Sequence, residues 1–204
     1  PSAAASASAA SSALAAITDR AAAGEELSEG EIVCLFEARG ATAQAVVAAA
    51  DRLRTRTVGD DVSYAVNRNV NYTNVCYFRC GFCAFSKGRG SESLRGRPYD
   101  LALDEIARRT REAWERGATE VCMQGGIHPD YTGGTYLDIC AAVRDAAPEM
   151  HLHAFSPLEI RQGAATLDLG VPEFLEKLRD AGLGSLPGTA AEILDDEVRR
   201  TLCP

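Results

Sequence analysis

A chain of 204 residues, 46% of them apolar, is long enough for one domain with a substantial core. Its formal net charge of −8 disfavours nucleic acid or an anionic membrane as a partner, and no apolar run approaches the ~20 residues of a membrane-spanning helix. The mildly apolar start lacks the basic leader of a secretory signal, and an odd count of 7 cysteines argues for reduced thiols, so a cytoplasmic location is expected.

In chain order, residues 1–16 are almost entirely alanine and serine with only Leu14 to bury. They read as a linker or frayed helix, and residues 1–25 are expected to be a tether. Ser28-Glu29-Gly30-Glu31 is a capping box, and Ile32, Val33, Leu35 and Phe36 supply the apolar side of a helix ending near Gly40. A second, alanine-rich helix over 41–57 is closed by Gly59, which makes residues 26–60 a small helical segment. Strand-type residues at 62–66 and 70–73 lead straight into a cysteine-rich loop.

Beyond a Gly/Arg/Ser loop over 87–97, a helix over 103–116 stops at Gly117. A strand over 120–124 runs into Gly125-Gly126, and a helix over 135–146 ends before Pro148. A strand over 151–156, a helix opened by Pro172, a strand over 183–186 and a last helix over 190–202 complete the pattern. Alternation of this kind argues for an α/β fold of parallel β/α units. The units in residues 61–204 amount to the first half of a (β/α)8 TIM-type barrel, whose usual length is about 250 residues. The simple start and the abrupt end suggest a segment of a larger polypeptide.

Cys76, Cys80 and Cys83 stand in the spacing C-x3-C-x2-C, so one short loop offers three thiolates and no fourth. Iron–sulfur clusters are usually held by four cysteines, and three close-spaced ones suggest a 4Fe–4S cube with one iron open to a small molecule. A structural zinc site would want a fourth ligand, commonly a second C-x2-C pair or paired histidines, and neither is present. Zinc and inert thiols remain the alternatives. Arg79 in the loop and Lys87 and Arg89 after it make a positive setting that favours thiolates, although ordinary solvated loop charge explains the latter two as well.

Three further places fall just after strand ends, the face on which such barrels carry their chemistry. Gln124-Gly125-Gly126 lets backbone approach a ligand closely, although a glycine pair alone is also a plain tight turn. His128 beside it either shapes the turn or meets a ligand. On the strand over 151–156, alternation places His151, His153 and Phe155 on one face. Glu159 lies beyond that strand, where a carboxylate can take a ribose hydroxyl or a substrate amine. Tyr72, Asn74 and Arg161 are further candidate substrate contacts, and Phe82 between the last two cysteines either packs beneath a cluster or lies near a ligand.

Taken together, Asn71 to Phe85, Gln124 to Pro129, His153 to Glu159 and the glycine-rich run from Gly182 to Glu192 resemble one branch of the radical S-adenosylmethionine (SAM) enzymes. That branch holds the 4-hydroxyphenyl transferase component of FO synthase, which resembles this chain best, and two menaquinone-pathway enzymes, aminofutalosine synthase and dehypoxanthine futalosine cyclase. The resemblance implies a 4Fe–4S cluster on Cys76, Cys80 and Cys83 and SAM held near Phe82, Gln124, Gly125, Gly126 and Glu159. It also implies the substrates L-tyrosine and 5-amino-6-(D-ribitylamino)uracil, a second radical SAM barrel, fused or separate, and a reductant protein. The second half of the barrel lies outside this sequence, so the segment alone is expected to be inactive. No residue is assigned a catalytic role.

Overall fold

The computed structural model describes residues 3–78, 80, 83–86, 97–188 and 193–202. It divides into two units, residues 1–63 and 64–204. Phe82, Arg79, Lys87, Arg89 and the run 189–192 lie outside the described residues.

The first unit is helical. The alanine/serine stretch forms one helix, α1 (Ala3–Ala22), which packs on α3 (Ala41–Val58) and touches α2 (Glu29–Glu37). Of the two readings of the alanine/serine run, linker or frayed helix, the structure takes the helical one. Alanine carries the highest helix propensity, and α3 gives α1 a surface to pack on. The capping box starts α2 as anticipated: the Ser28 hydroxyl accepts from the Glu31 amide at 3.4 Å, and the Glu31 carboxylate accepts from the Ser28 amide at 2.8 Å. Gly59, at φ +70°, ends α3 in a backbone region closed to most side chains.

In the second unit, four parallel strands stand in the order β1 (Asn67–Asn71), β2 (Glu120–Gln124), β3 (His151–Ala154) and β4 (Leu183–Ser185). Between them run α4 (Leu103–Glu115), α5 (Gly133–Ala146), α6 (Pro157–Thr166) and α7 (Val171–Ala181), with α8 (Asp196–Leu202) last. The result is a partial β/α barrel. Residues 62–66 are not in a strand; pairing with β2 begins at Asn67 and carries Asn71 opposite Gln124.

Alternation sorts the sheet into two contrasting faces. Val70, Val121, Met123, Leu152 and Ala154 are buried in the core with Ile106 of α4, Ile139 and Val143 of α5, and Phe174 and Leu178 of α7. The opposite face carries Asn67, Asn69 and Asn71 on β1, Glu120, Cys122 and Gln124 on β2, and His151 and His153 on β3. It is polar at nearly every position.

Phe155 breaks the expected pattern. Its backbone turns to φ +69° and its ring is fully buried, edge-on to Tyr72 and Tyr136. It therefore does not share a face with His151 and His153. A bulky residue held in the left-handed region stores strain, and here the aromatic cluster offsets it. The next helix, α6, is absent from the expected element order.

Candidate functional site

The ends of β1, β2 and β3 converge on a cavity of about 170 Å³. Its walls include Cys76, Cys80 and Cys83 on one side, Gln124, Gly125 and Gly126 on another, and Ser156 and Glu159 on a third. Seven of the eight residues singled out as metal or cofactor ligands thus face one space, and the eighth is Phe82. Phe78, Phe85, Ile127 and Leu158 give the cavity an apolar lining as well.

The cysteine loop is held at its root. Thr73 bridges Asp100, the Leu101 amide donates to the Tyr72 carbonyl at 2.8 Å, and the Thr73 hydroxyl donates to the Tyr99 carbonyl at 2.8 Å. Asn74 accepts from the Tyr99 amide at 2.8 Å and donates to the Arg97 carbonyl at 3.2 Å. Asn74 is 3% exposed and acts as a staple between the two stems. On the cavity side, the Gly126 amide donates to the Thr73 carbonyl at 2.9 Å and the Tyr77 amide to the Ile127 carbonyl at 3.1 Å. The Tyr77 hydroxyl reaches Gln162 of α6 at 2.9 Å.

The two glycines are required by close packing rather than by an unusual backbone. A Cβ on Gly125 would lie 2.3 Å from Cε2 of Tyr72, and one on Gly126 would lie 2.2 Å from the Val75 carbonyl oxygen and 2.8 Å from Cβ of Cys76. The glycine loop therefore lies directly against the cysteine loop, with its backbone groups on the cavity wall.

Glu159 is the least expected element of the site. It is only 1% exposed, and its carboxylate accepts from the Tyr72 hydroxyl, from the Ser156 amide at 2.6 Å and from the Gly125 amide. Burial pushes its pKa up to about 8, against the lowering effect of the two amides. One side chain thus ties together the residues that follow β1, β2 and β3. Tyr72 is fully buried in this network, and Arg161 is exposed on α6.

Glu159 also completes the capping box of α6: the Ser156 hydroxyl accepts from the Glu159 amide at 3.3 Å, and Pro157 occupies the first turn. The signal was present in the sequence as Ser-Pro-Leu-Glu, the same pattern that starts α2.

His128 shapes its turn, accepting from the Asp130 amide on Nδ1 at 3.2 Å and stacking on Tyr131 with ring centroids 4.7 Å apart. His153 lies away from the cavity, on the polar face of the sheet, and its Nδ1 meets the Ser185 hydroxyl at 2.7 Å.

The donor set fits a cluster with three thiolate ligands and a small molecule beside it. The three cysteines and the glycine pair line the same cavity, and the two loops pack directly on one another. Among the described residues no three His, Cys, Asp or Glu side chains gather around a single ion position. Thiolates bound to separate irons of a cube need no such convergence.

Comparison with known proteins gives a consistent result. The Radical SAM superfamily model matches residues 70–204. The chain is 51% identical over 174 residues to FO synthase of Streptomyces coelicolor, covering 85% of this chain and 20% of that protein. It is 45% identical over 197 residues to 5-amino-6-(D-ribitylamino)uracil--L-tyrosine 4-hydroxyphenyl transferase of a Cyanothece species, covering 94% of this chain and 51% of that one. It thus spans about a fifth of the first relative's length and half of the second's. Among solved structures, methylornithine synthase superposes with a TM-score of 0.61 at 18% identity, covering 83% of this chain and 46% of that chain. HydG, a hydrogenase maturase, superposes with a TM-score of 0.70 at 13% identity, covering 95% and 40%. At those identities the likeness is one of fold.

Proposed function

This chain belongs to the radical SAM superfamily, and on that premise we propose that it carries the cluster-binding part of an enzyme that moves a 4-hydroxybenzyl group from L-tyrosine to 5-amino-6-(D-ribitylamino)uracil. The supporting observation is the single cavity in which the three cysteines, the glycine pair and Ser156 meet, in a chain 51% identical to an FO synthase. When bound, a 4Fe–4S cluster and SAM would supply one-electron chemistry that takes a hydrogen atom from tyrosine. Breakage of the tyrosine Cα–Cβ bond then frees the 4-hydroxybenzyl part for the uracil and leaves the glycine carbons as 2-iminoacetate.

Each residue has a defined task in this reading. Cys76, Cys80 and Cys83 hold the cluster, and the absence of a fourth thiolate from the motif leaves one iron for SAM. Gly125 and Gly126, whose amides hold Glu159 and the Thr73 carbonyl, shape the part of the cavity assigned to SAM. Gln124, at the mouth of the sheet, and Phe82 are assigned to SAM or substrate. Glu159 serves SAM through the backbone it holds, as a positioning residue. The apolar walls formed by Phe78, Phe85, Ile127 and Leu158 keep water from a reactive intermediate. A second radical SAM barrel, fused or separate, and a reductant protein complete the system, in a reducing cytoplasm.

The test is anaerobic reconstitution of the native polypeptide that carries this sequence, followed by EPR of the reduced protein with and without SAM and analysis of products. A 4Fe–4S signal that shifts with SAM, together with a hydroxybenzylated uracil and 2-iminoacetate, is the expected result. Bound zinc without iron overturns the cluster. Turnover of a futalosine-type precursor instead of the uracil moves the protein to the menaquinone-pathway reaction.

A further inference from the structure

The polar face of the sheet departs from the usual barrel interior, which is a packed layer of Val, Ile and Leu. Parallel pairing sets Asn69, Cys122, His153 and Ser185 side by side in one row across the sheet. Neighbours in such a row are about 4.8 Å apart, and the next row along lies about 6.6 Å away. His153 Nδ1 and His151 Nε2 both meet the Ser185 hydroxyl, at 2.7 and 2.8 Å, and Glu120 lies 3.9 Å from His151. A hydroxyl has one proton, so Ser185 donates to one imidazole and accepts from the other. Among the described residues, the remaining ring nitrogen of each histidine has no hydrogen-bond partner.

The chemistry of this row selects its ligand. Amide, imidazole, thiol and hydroxyl groups both donate and accept, which suits hydroxyl groups. The row holds no lysine or arginine, so it is not built for a phosphate or a carboxylate. Tyrosine, a zwitterion, is a poor match for the same reason. The row is also continuous with the cavity, because Gln124 stands on this face of β2, one row nearer its end, and lines the cavity as well.

Resting on the reaction proposed above, we propose that the row Asn69–Cys122–His153–Ser185, with His151 beside it, is the binding surface for the polyhydroxylated ribityl chain of the uracil substrate. The pyrimidine lies at the cavity end and the chain runs down the polar face. Recognition of the uracil substrate is thereby separated from that of tyrosine.

The experiment measures dissociation constants under anaerobic conditions on the reconstituted native polypeptide. Two probes are used, 5-amino-6-(D-ribitylamino)uracil and 5,6-diaminouracil, which lacks the ribityl chain; SAM is titrated in parallel. The wild type binds the ribityl compound more tightly than the truncated one. Ser185→Ala and His153→Phe each weaken the ribityl compound about fivefold or more, the loss of a hydrogen bond, and leave diaminouracil and SAM unchanged. Asn69→Ala, remote from the histidine cluster, narrows the same ratio. Equal weakening of both uracils in the variants, or no change in either, overturns the assignment while leaving the reaction intact. A wild type that binds SAM but neither uracil overturns both.

Discussion

Replacing Glu159 by glutamine tests whether the carboxyl that joins the strand ends is held as the neutral acid. Below pH 4.5 the group is protonated in both the folded and the unfolded protein and contributes no pH dependence. Between 4.5 and about 8 the unfolded chain has released the proton while the folded one keeps it, so stability falls as pH rises. The slope is about 1.4 kcal/mol per pH unit, and the whole window amounts to roughly 5 kcal/mol. Above about pH 8 both states are ionised and the penalty is constant. Glutamine has nearly the same shape, can accept from the Ser156 and Gly125 amides through its oxygen, and can donate to Tyr72 through its nitrogen. Urea unfolding of wild type and Glu159→Gln at pH 5, 6, 7 and 8, read as a difference, cancels every other titrating group. The variant is expected to gain on the wild type steadily across this range. A flat difference would refute the argument, since it would mean that the buried carboxyl is already ionised at pH 5.

Other expectations follow from the packing of the site. Gly126→Ala forces a methyl group against the Val75 carbonyl and Cys76, so it should cost about 1–3 kcal/mol and lower iron incorporation, measured by unfolding and metal analysis. Cys83→Ala should abolish stable 4Fe–4S assembly, whereas Cys34→Ala, an exposed thiol in the helical unit, should leave iron and sulfide content unchanged. Ser156→Ala removes the hydroxyl that caps α6 and should cost about 1 kcal/mol in chemical denaturation.

The parts of this architecture that are local in sequence were legible in it. The strand over 120–124 was read with its observed limits because Gly117 and the glycine pair bound a short β-prone run. The cysteine spacing and the glycine pair identified two walls of the cavity from chemistry alone. What escaped depends on residues far apart in the chain. Tyr72 and Glu159 are 87 positions apart, and only the parallel register of three strands makes one carboxyl the partner of both Tyr72 and Gly125. The same register reveals the row of Asn69, Cys122, His153 and Ser185, which no window of neighbouring residues displays. Helix α1 was legible only as a choice between linker and frayed helix, because a run of alanine and serine has no apolar stripe and its packing on α3 is long-range.

The staple between residues 72–75 and 97–101 has a consequence for the loop whose stems it joins. Because both stems of the cysteine loop are fastened by Asn74 and Thr73, the length of chain between them is uncoupled from the sheet. Closing a longer loop costs little, about 0.6 kcal/mol for each doubling of its length. A change at Asn74, which holds both Arg97 and Tyr99, therefore loosens the two stems together.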